Sequence, residues 1–137
     1  MKLSTRSRYG TRMMLDLAEH YNEGPIQIGD IARRQDISVK YLEQLIIPLK
    51  KADFISSVRG PKGGHMLARQ PKEITIGQIV HVLEGGIELS LCVVDAKLCE
   101  RSKECLIRDT WSEATKAMHD KLNATSLAKV IRVQKRC

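Results

Sequence analysis

The stretch IGDIARRQDISVKYLEQLIIPLKKADFISSVRGPKGGHML, residues 28–67, decides the fold. Ile28 to Gln35 reads as a short helix with Ile28, Ile31 and Ala32 on one face. Asp36-Ile37-Ser38 follows as a tight turn, and the Ser38 hydroxyl is suited to N-cap a further helix. In that helix Val39, Leu42, Leu45, Ile46 and Leu49 fall inward, leaving Lys40, Tyr41, Glu43, Gln44, Ile47 and Lys50 away from the core to varying degrees. Pro48 is expected to deprive the Gln44 carbonyl of its helical partner and to bend or end the helix early. Phe54 to Val58 is a short strand by its β-formers, Arg59-Gly60-Pro61-Lys62-Gly63-Gly64 is a turn, and His65 to Ala68 is the return strand. Two short helices joined by a tight turn, then a hairpin with a glycine-rich tip, make a winged helix-turn-helix.

Outward from this stretch, Arg8 to Tyr21 is predicted helical, since Met13, Met14, Leu17, Ala18 and Tyr21 recur at spacings of three and four, and Gly24-Pro25 ends it. Thr75 caps a predicted helix over Ile76 to Leu83, stopped by Gly85-Gly86. Leu91 to Glu104 has little periodicity. From Cys105 to about Asn123 a longer helix is expected, with Ile107, Trp111, Ala114, Met118 and Leu122 forming a narrow seam of the kind two helices share. Ser126 is placed to cap a last short helix through Val130. The expected class is mainly α with a small β wing: a winged helix-turn-helix plus a long C-terminal dimerisation helix. The expected division is residues 1–84 for the DNA-binding domain, 85–105 for a cysteine-containing loop, and 106–137 for the dimerisation helix and C-terminal segment.

The 137 residues carry a net charge of +7, distributed unevenly. Residues 1–72 hold 13 Lys/Arg against 7 Asp/Glu, whereas residues 73–137 hold 10 against 9. Positive charge confined to one half suits a phosphate-facing surface, because each neutralised phosphate releases counterions; a solvated basic face is the plainer alternative. No apolar run is long enough to cross a membrane and no charged-then-apolar leader is present, which sets an expectation of a cytoplasmic protein without a membrane partner. No nucleophile–base arrangement supports an enzyme.

A recognition helix enters the major groove with a capped start and polar outward side chains. Ser38, Lys40, Tyr41, Glu43 and Gln44 supply donors and acceptors there: Gln44 can pair with adenine, and Glu43 can accept from cytosine N4. Unless Glu43 finds that cytosine, its carboxylate is repelled by DNA. At the wing tip, Gly60 allows close backbone approach while Arg59 and Lys62 can enter the minor groove or hold phosphates.

Cys92, Cys99 and Cys105 are the other informative group. Three thiols in one segment can wrap an iron–sulfur cluster, bind zinc, act as a redox switch, or simply pack. Structural zinc sites favour closer cysteine pairs. The spacing alone leaves all four open.

Met1-Lys2-Leu3-Ser4-Thr5, Arg8-Tyr9, the run from Met14 to Ala18, Ile37-Ser38, the run from Tyr41 to Leu45, and the run from Ser56 to Gly64 carry a resemblance, joined by Cys105-Leu106 and Trp111. Over most of its length the chain resembles the family of small bacterial winged-helix regulators that includes IscR, the iron–sulfur cluster regulator, and NsrR, the nitric-oxide sensor. IscR looks the nearer of the two. The resemblance implies a homodimer on a near-palindromic double-stranded operator, with Glu43 and Gln44 reading bases and Arg59 serving the wing. It implies a 2Fe–2S cluster on Cys92, Cys99 and Cys105 that modulates operator binding, control of cluster assembly genes, and the cluster assembly machinery as cluster donor. A cluster-free, nitric-oxide-sensing or redox-sensing regulator, for example of cysteine or sulfur metabolism, is the alternative. The chain departs from the pattern at the fourth ligand. Where IscR-like proteins carry a histidine, Arg108 stands here, and Arg8 stands where an NsrR-like aspartate would lie. Asp109, Glu104, His119, Cys137 or an exogenous thiol are the candidates.

Overall fold

Ser4 opens the first helix: its side chain accepts from the Ser7 backbone, and α1 runs Thr5–Glu19, three residues earlier than its apolar periodicity indicates. The earlier start follows from the cap, reinforced by Glu84, whose Oε1 accepts from the Ser4 N–H at 2.7 Å. The computed structural model describes residues 2–134. After α1 come α2 (Ile28–Gln35), α3 (Val39–Lys51), β1 (Ile55–Val58), β2 (Gly64–Leu67), α4 (Ile76–Glu84), α5 (Leu91–Val94), α6 (Arg108–Asn123) and α7 (Leu127–Gln134), with short 3-10 turns at Pro71–Glu73 and Ala96–Leu98.

The helix-turn-helix is closed by local chemistry. Asp36 takes a left-handed conformation at the end of α2, and the Ile37 N–H returns to the Ala32 carbonyl. Ser38 then caps α3 by accepting from the Tyr41 N–H at 3.2 Å. Contrary to expectation, Pro48 does not end α3, which continues to Lys51. The reason is its position: Leu45, Ile46 and Leu49 bury one face, while Gln44, whose carbonyl loses a partner, is exposed, where water can replace the lost bond.

β1 and β2 pair antiparallel with Ile55 opposite Leu67 and Val58 opposite Gly64. A backbone bridge from Ile26 extends this wing: the Ile26 N–H donates to the His65 carbonyl and the His65 N–H to the Ile26 carbonyl, both at 2.8 Å. Gly64 is required here, because its φ is +150° and a side chain would collide with the Ile26 backbone.

The core gathers Met13, Met14 and Leu17 of α1, Ile31 of α2, Leu42, Leu45 and Leu49 of α3, Ile55 and Leu67 of the wing, and Ile79 and Leu83 of α4. Leu127 of α7 is fully buried in the same cluster. The Ile76 N–H bonds the Thr125 carbonyl and the Leu127 N–H bonds the Ile74 carbonyl, so the chain after α6 returns to the winged unit. Fully burying a leucine contributes roughly 1.5–3 kcal/mol, so this return is an integral part of the fold.

Two expectations shift in the C-terminal half. The cysteine segment holds a short helix and a 3-10 turn, and α6 begins at Arg108, after Cys105. Thr115 is the buried residue of α6, while Ile107, Trp111 and Ala114 of the expected seam are exposed and Met118 and Leu122 half-buried. The α4–α6 approach depends on Gly77, where a Cβ would overlap the Asn123 side chain.

Candidate DNA-reading surface and cysteine segment

α3 presents the predicted readers together. Lys40, Glu43 and Gln44 are exposed along one stripe, Ser38 is exposed at the capped start, and Tyr41 is half-buried beside them. Tyr41 is steadied by α1: its ring meets Tyr9 edge-on at 5.8 Å between centroids, and the Arg12 guanidinium lies over the Tyr9 ring at 5.4 Å. Arg12 also donates to the Gln35 carbonyl, tying α1 to the end of α2.

Beneath this surface is a buried ion pair. Asp16, 2 % exposed, accepts from Arg34 Nε at 3.0 Å and from the Arg34 terminal nitrogen at 2.6 Å, and Gln35 Nε2 adds a third bond at 2.9 Å. Burial by itself would raise the Asp16 pKa. The hydrogen bonds from Arg34 and Gln35, with the Arg34 charge, outweigh it and hold the carboxyl below its ordinary range. This pair, with Gln35, ties α2 to α1.

The wing tip carries Arg59, Gly60 and Lys62, all exposed. Gly60 has φ +109° and accepts from the Gly63 N–H at 2.9 Å, so the tip is a closed turn. Gln27 Nε2 donates to the Pro61 carbonyl at 3.1 Å, which anchors the tip to the residue preceding α2. Behind it, Ser57 Oγ and His65 Nδ1 are 2.7 Å apart.

Sequence reading missed Arg6. It is exposed near the start of α1 and lines a cavity of about 210 Å³ with Tyr41, Gln44 and Leu45, placing a cation beside a predicted base reader. The cap at Ser4 was the available signal: a helix started there carries Arg6 in its first turn.

The cysteines are free thiols: Cys92 is buried in α5, while Cys99 and Cys105 are half-buried around the following turns. Ser90 Oγ and Cys92 Sγ lie 3.2 Å apart. Among the described residues no three His, Cys, Asp or Glu side chains gather to hold a metal ion. The donor set nonetheless suits a cluster chemically, since three unpaired thiols become soft thiolate ligands. Of the fourth-ligand candidates, Asp109 and Glu104 are exposed, and Cys137 lies outside the described residues. His119 is turned to the segment that follows α4, with Nε2 2.8 Å from the Ile87 carbonyl and 3.7 Å from Glu88. The first turn of α6 is latched to α5 by Arg108. Among the described residues no helix is long and apolar enough to cross a membrane.

Comparison with known proteins agrees with this architecture. A family model named Rrf2, described as an iron-dependent transcriptional regulator, matches residues 3–133. The chain is 49% identical to protein rrf2 of Nitratidesulfovibrio vulgaris over 137 residues, covering 100% of this chain and 91% of the relative. It is 36% identical to the transcriptional regulator IscR of Aliivibrio salmonicida, covering 96% of this chain and 77% of that one. Among solved structures, IscR of T. potens superposes with a TM-score of 0.80 at 36% identity, covering 98% of this chain and 88% of that chain. CymR, described as the global cysteine regulator of B. subtilis, superposes with a TM-score of 0.81 at 37% identity, covering 95% of each chain.

Proposed function

The chain belongs to the Rrf2 family of transcriptional regulators, and from that premise we propose that it is a homodimeric operator-binding protein whose DNA affinity is set by an iron–sulfur cluster. It is a winged-helix regulator and not an enzyme. The finer reading rests on one observation: three free cysteines occupy the segment that leads directly into α6, where Ile107 at the N-cap and Trp111 in the first turn are uncovered in the single chain.

In this reading Ser38, Lys40, Tyr41, Glu43 and Gln44 of α3 face the major groove, and Arg59, Gly60 and Lys62 meet the adjoining minor groove or backbone. α6, about 24 Å long at 1.5 Å per residue, pairs with its twin and sets the spacing of the two reading helices. The proposed units are a reading domain (1–84), a cysteine segment (85–105) and a dimerising segment (106–137), the last of which also contributes Leu127 to the core.

Cys92, Cys99 and Cys105 hold the cluster, of 2Fe–2S type, with the cluster assembly machinery as donor and assembly genes as targets. Asp109 or Glu104, both exposed and close to Cys105 in sequence, or an exogenous thiol, completes the ligand set. A bound cluster supplies a rigid cross-link between thiolates that are separate in the single chain. Arg108 transmits that ordering, because it bonds the Cys92 backbone from the first turn of α6. A coupling of ~1–3 kcal/mol changes operator affinity by roughly 5–150-fold. The protein acts in the cytoplasm, where thiols stay reduced.

A cluster-free thiol-responsive regulator is the second reading. It is favoured by the separation of the three thiols and by the burial of Cys92.

Protein purified without oxygen and examined by visible absorption, iron and sulfide assay separates the two. The cluster reading expects colour with stoichiometric iron and sulfide. It expects Cys99→Ala to lose the colour while dimerisation and binding to at least one operator persist. Colourless, iron-free protein with unchanged operator affinity after all three cysteines become serine overturns it.

A further inference from the structure

Ile47 is 68 % exposed, an unusual setting for an isoleucine in this chain. The other strongly exposed large hydrophobes fall mostly within residues 89–111, the segment assigned above to the cysteines and the start of α6. Outside that segment, Leu3, Val39 and Val58 are exposed by 45 %, 39 % and 44 %, so Ile47 stands clear of them all. Single exposed hydrophobes are common on protein surfaces and need no ligand. Position distinguishes this one. Lys40, Glu43, Gln44 and Ile47 recur at spacings of three and four, so Ile47 continues the exposed stripe of α3 one helical turn beyond Glu43. The core side of the helix is already filled by Leu42, Leu45, Ile46 and Leu49.

We propose that Ile47 is a specificity-determining residue that reads the C5-methyl group of a thymine in the major groove. This rests on the reading that α3 enters that groove. The thymine methyl is the apolar feature by which major-groove edges are told apart, and apolar side chains recognise it by contact. Lysine, glutamate and glutamine on this stripe end in polar groups that favour water or base-edge hydrogen bonds, whereas the branched side chain of Ile47 is hydrocarbon throughout. Glu43, one turn back, addresses cytosine N4, so the two residues together favour pyrimidines on the strand they face. Burying the methyl against Ile47 also removes from water an apolar side chain that the free protein leaves exposed.

The test removes the methyl alone. A duplex selected by the wild-type chain from a randomised pool is resynthesised with each thymine in turn replaced by deoxyuridine, which keeps every hydrogen-bonding group. Affinities are measured by fluorescence anisotropy at fixed salt, for wild type and for Ile47→Ala, a surface change on a helix that alanine favours. The expected result is a thymine whose replacement weakens wild type about fourfold, the order expected for one buried methyl. Ile47→Ala should bind thymine and deoxyuridine duplexes equally, near the wild-type value for deoxyuridine. Wild type indifferent to every replacement overturns the proposal, and so does an Ile47→Ala protein that still discriminates. A wild-type chain that selects no sequence at all overturns the groove-entry reading and this proposal with it.

Discussion

Arg108 Nε donates a hydrogen bond to the carbonyl oxygen of Cys92 at 3.2 Å, joining the first turn of α6 to α5 across 16 residues of sequence. The same arginine occupies the position where the family resemblance calls for a histidine ligand. A guanidinium has no lone pair to offer iron, so here the residue serves as a strut to the backbone of a cysteine.

Replacing Arg108 therefore separates two roles. On the cluster reading, Arg108→His supplies an imidazole three residues after the third cysteine and is expected to slow the loss of visible absorbance from anaerobic protein challenged with a chelator. Arg108→Ala removes the strut without supplying a ligand and is expected to hasten it. Equal decay in wild type and Arg108→His would count against an incomplete protein ligand set.

Asp16→Asn should destabilise the chain measurably in urea unfolding. Breaking a buried ion pair costs ~3–5 kcal/mol, and the low end applies because the Arg34 side chain keeps 33 % of its exposure. The pH dependence has a definite sign. Because the folded Asp16 pKa lies below its unfolded value, its stabilisation is complete above the ordinary aspartate pKa of ~3.9 and is lost as pH falls through the folded value. Asp16→Asn should flatten the acid limb of the stability profile.

Gly77→Ala places a Cβ 2.9 Å from the Asn123 backbone nitrogen, against backbone that cannot rotate away. Overpacking of this kind costs ~1–3 kcal/mol, and here it should push α6 off α4. Urea unfolding with sedimentation measures both stability and dimer formation. A variant as stable as wild type would show that α6 is free to move.

Arg59→Ala and Gln44→Ala should differ in kind. Losing a wing cation should weaken binding across all sequences and lower the slope of log affinity against log salt by about one. Losing Gln44 should cost ~1–3 kcal/mol and relax preference at one base pair while leaving the salt slope unchanged. Anisotropy titrations at several salt concentrations distinguish them.

Much of the geometry of the proposed reading surface was legible in residues 28–67. Ser38 caps α3 as its hydroxyl and position required, and the exposed stripe of Lys40, Glu43 and Gln44 follows from helical spacing. The misplaced boundaries have identifiable physical causes. α1 starts early because Ser4 and Glu84 cap it, and half of that cap comes from a residue 80 positions away. α3 outlasts Pro48 because burial on one face and solvent on the other compensate a missing bond.

The chain by itself determined the winged helix-turn-helix, the basic character of its first half, and the supply of three free thiols, since capping, periodicity and composition are local properties. Tertiary structure alone decided that Arg6 stands beside Gln44, that Arg34 rather than water neutralises Asp16, that Leu127 closes the core, and that Arg108 holds Cys92. Each of these joins groups far apart in sequence. Burial and close approach turn such pairs into interactions, and no periodicity within one element reveals which partner will be there.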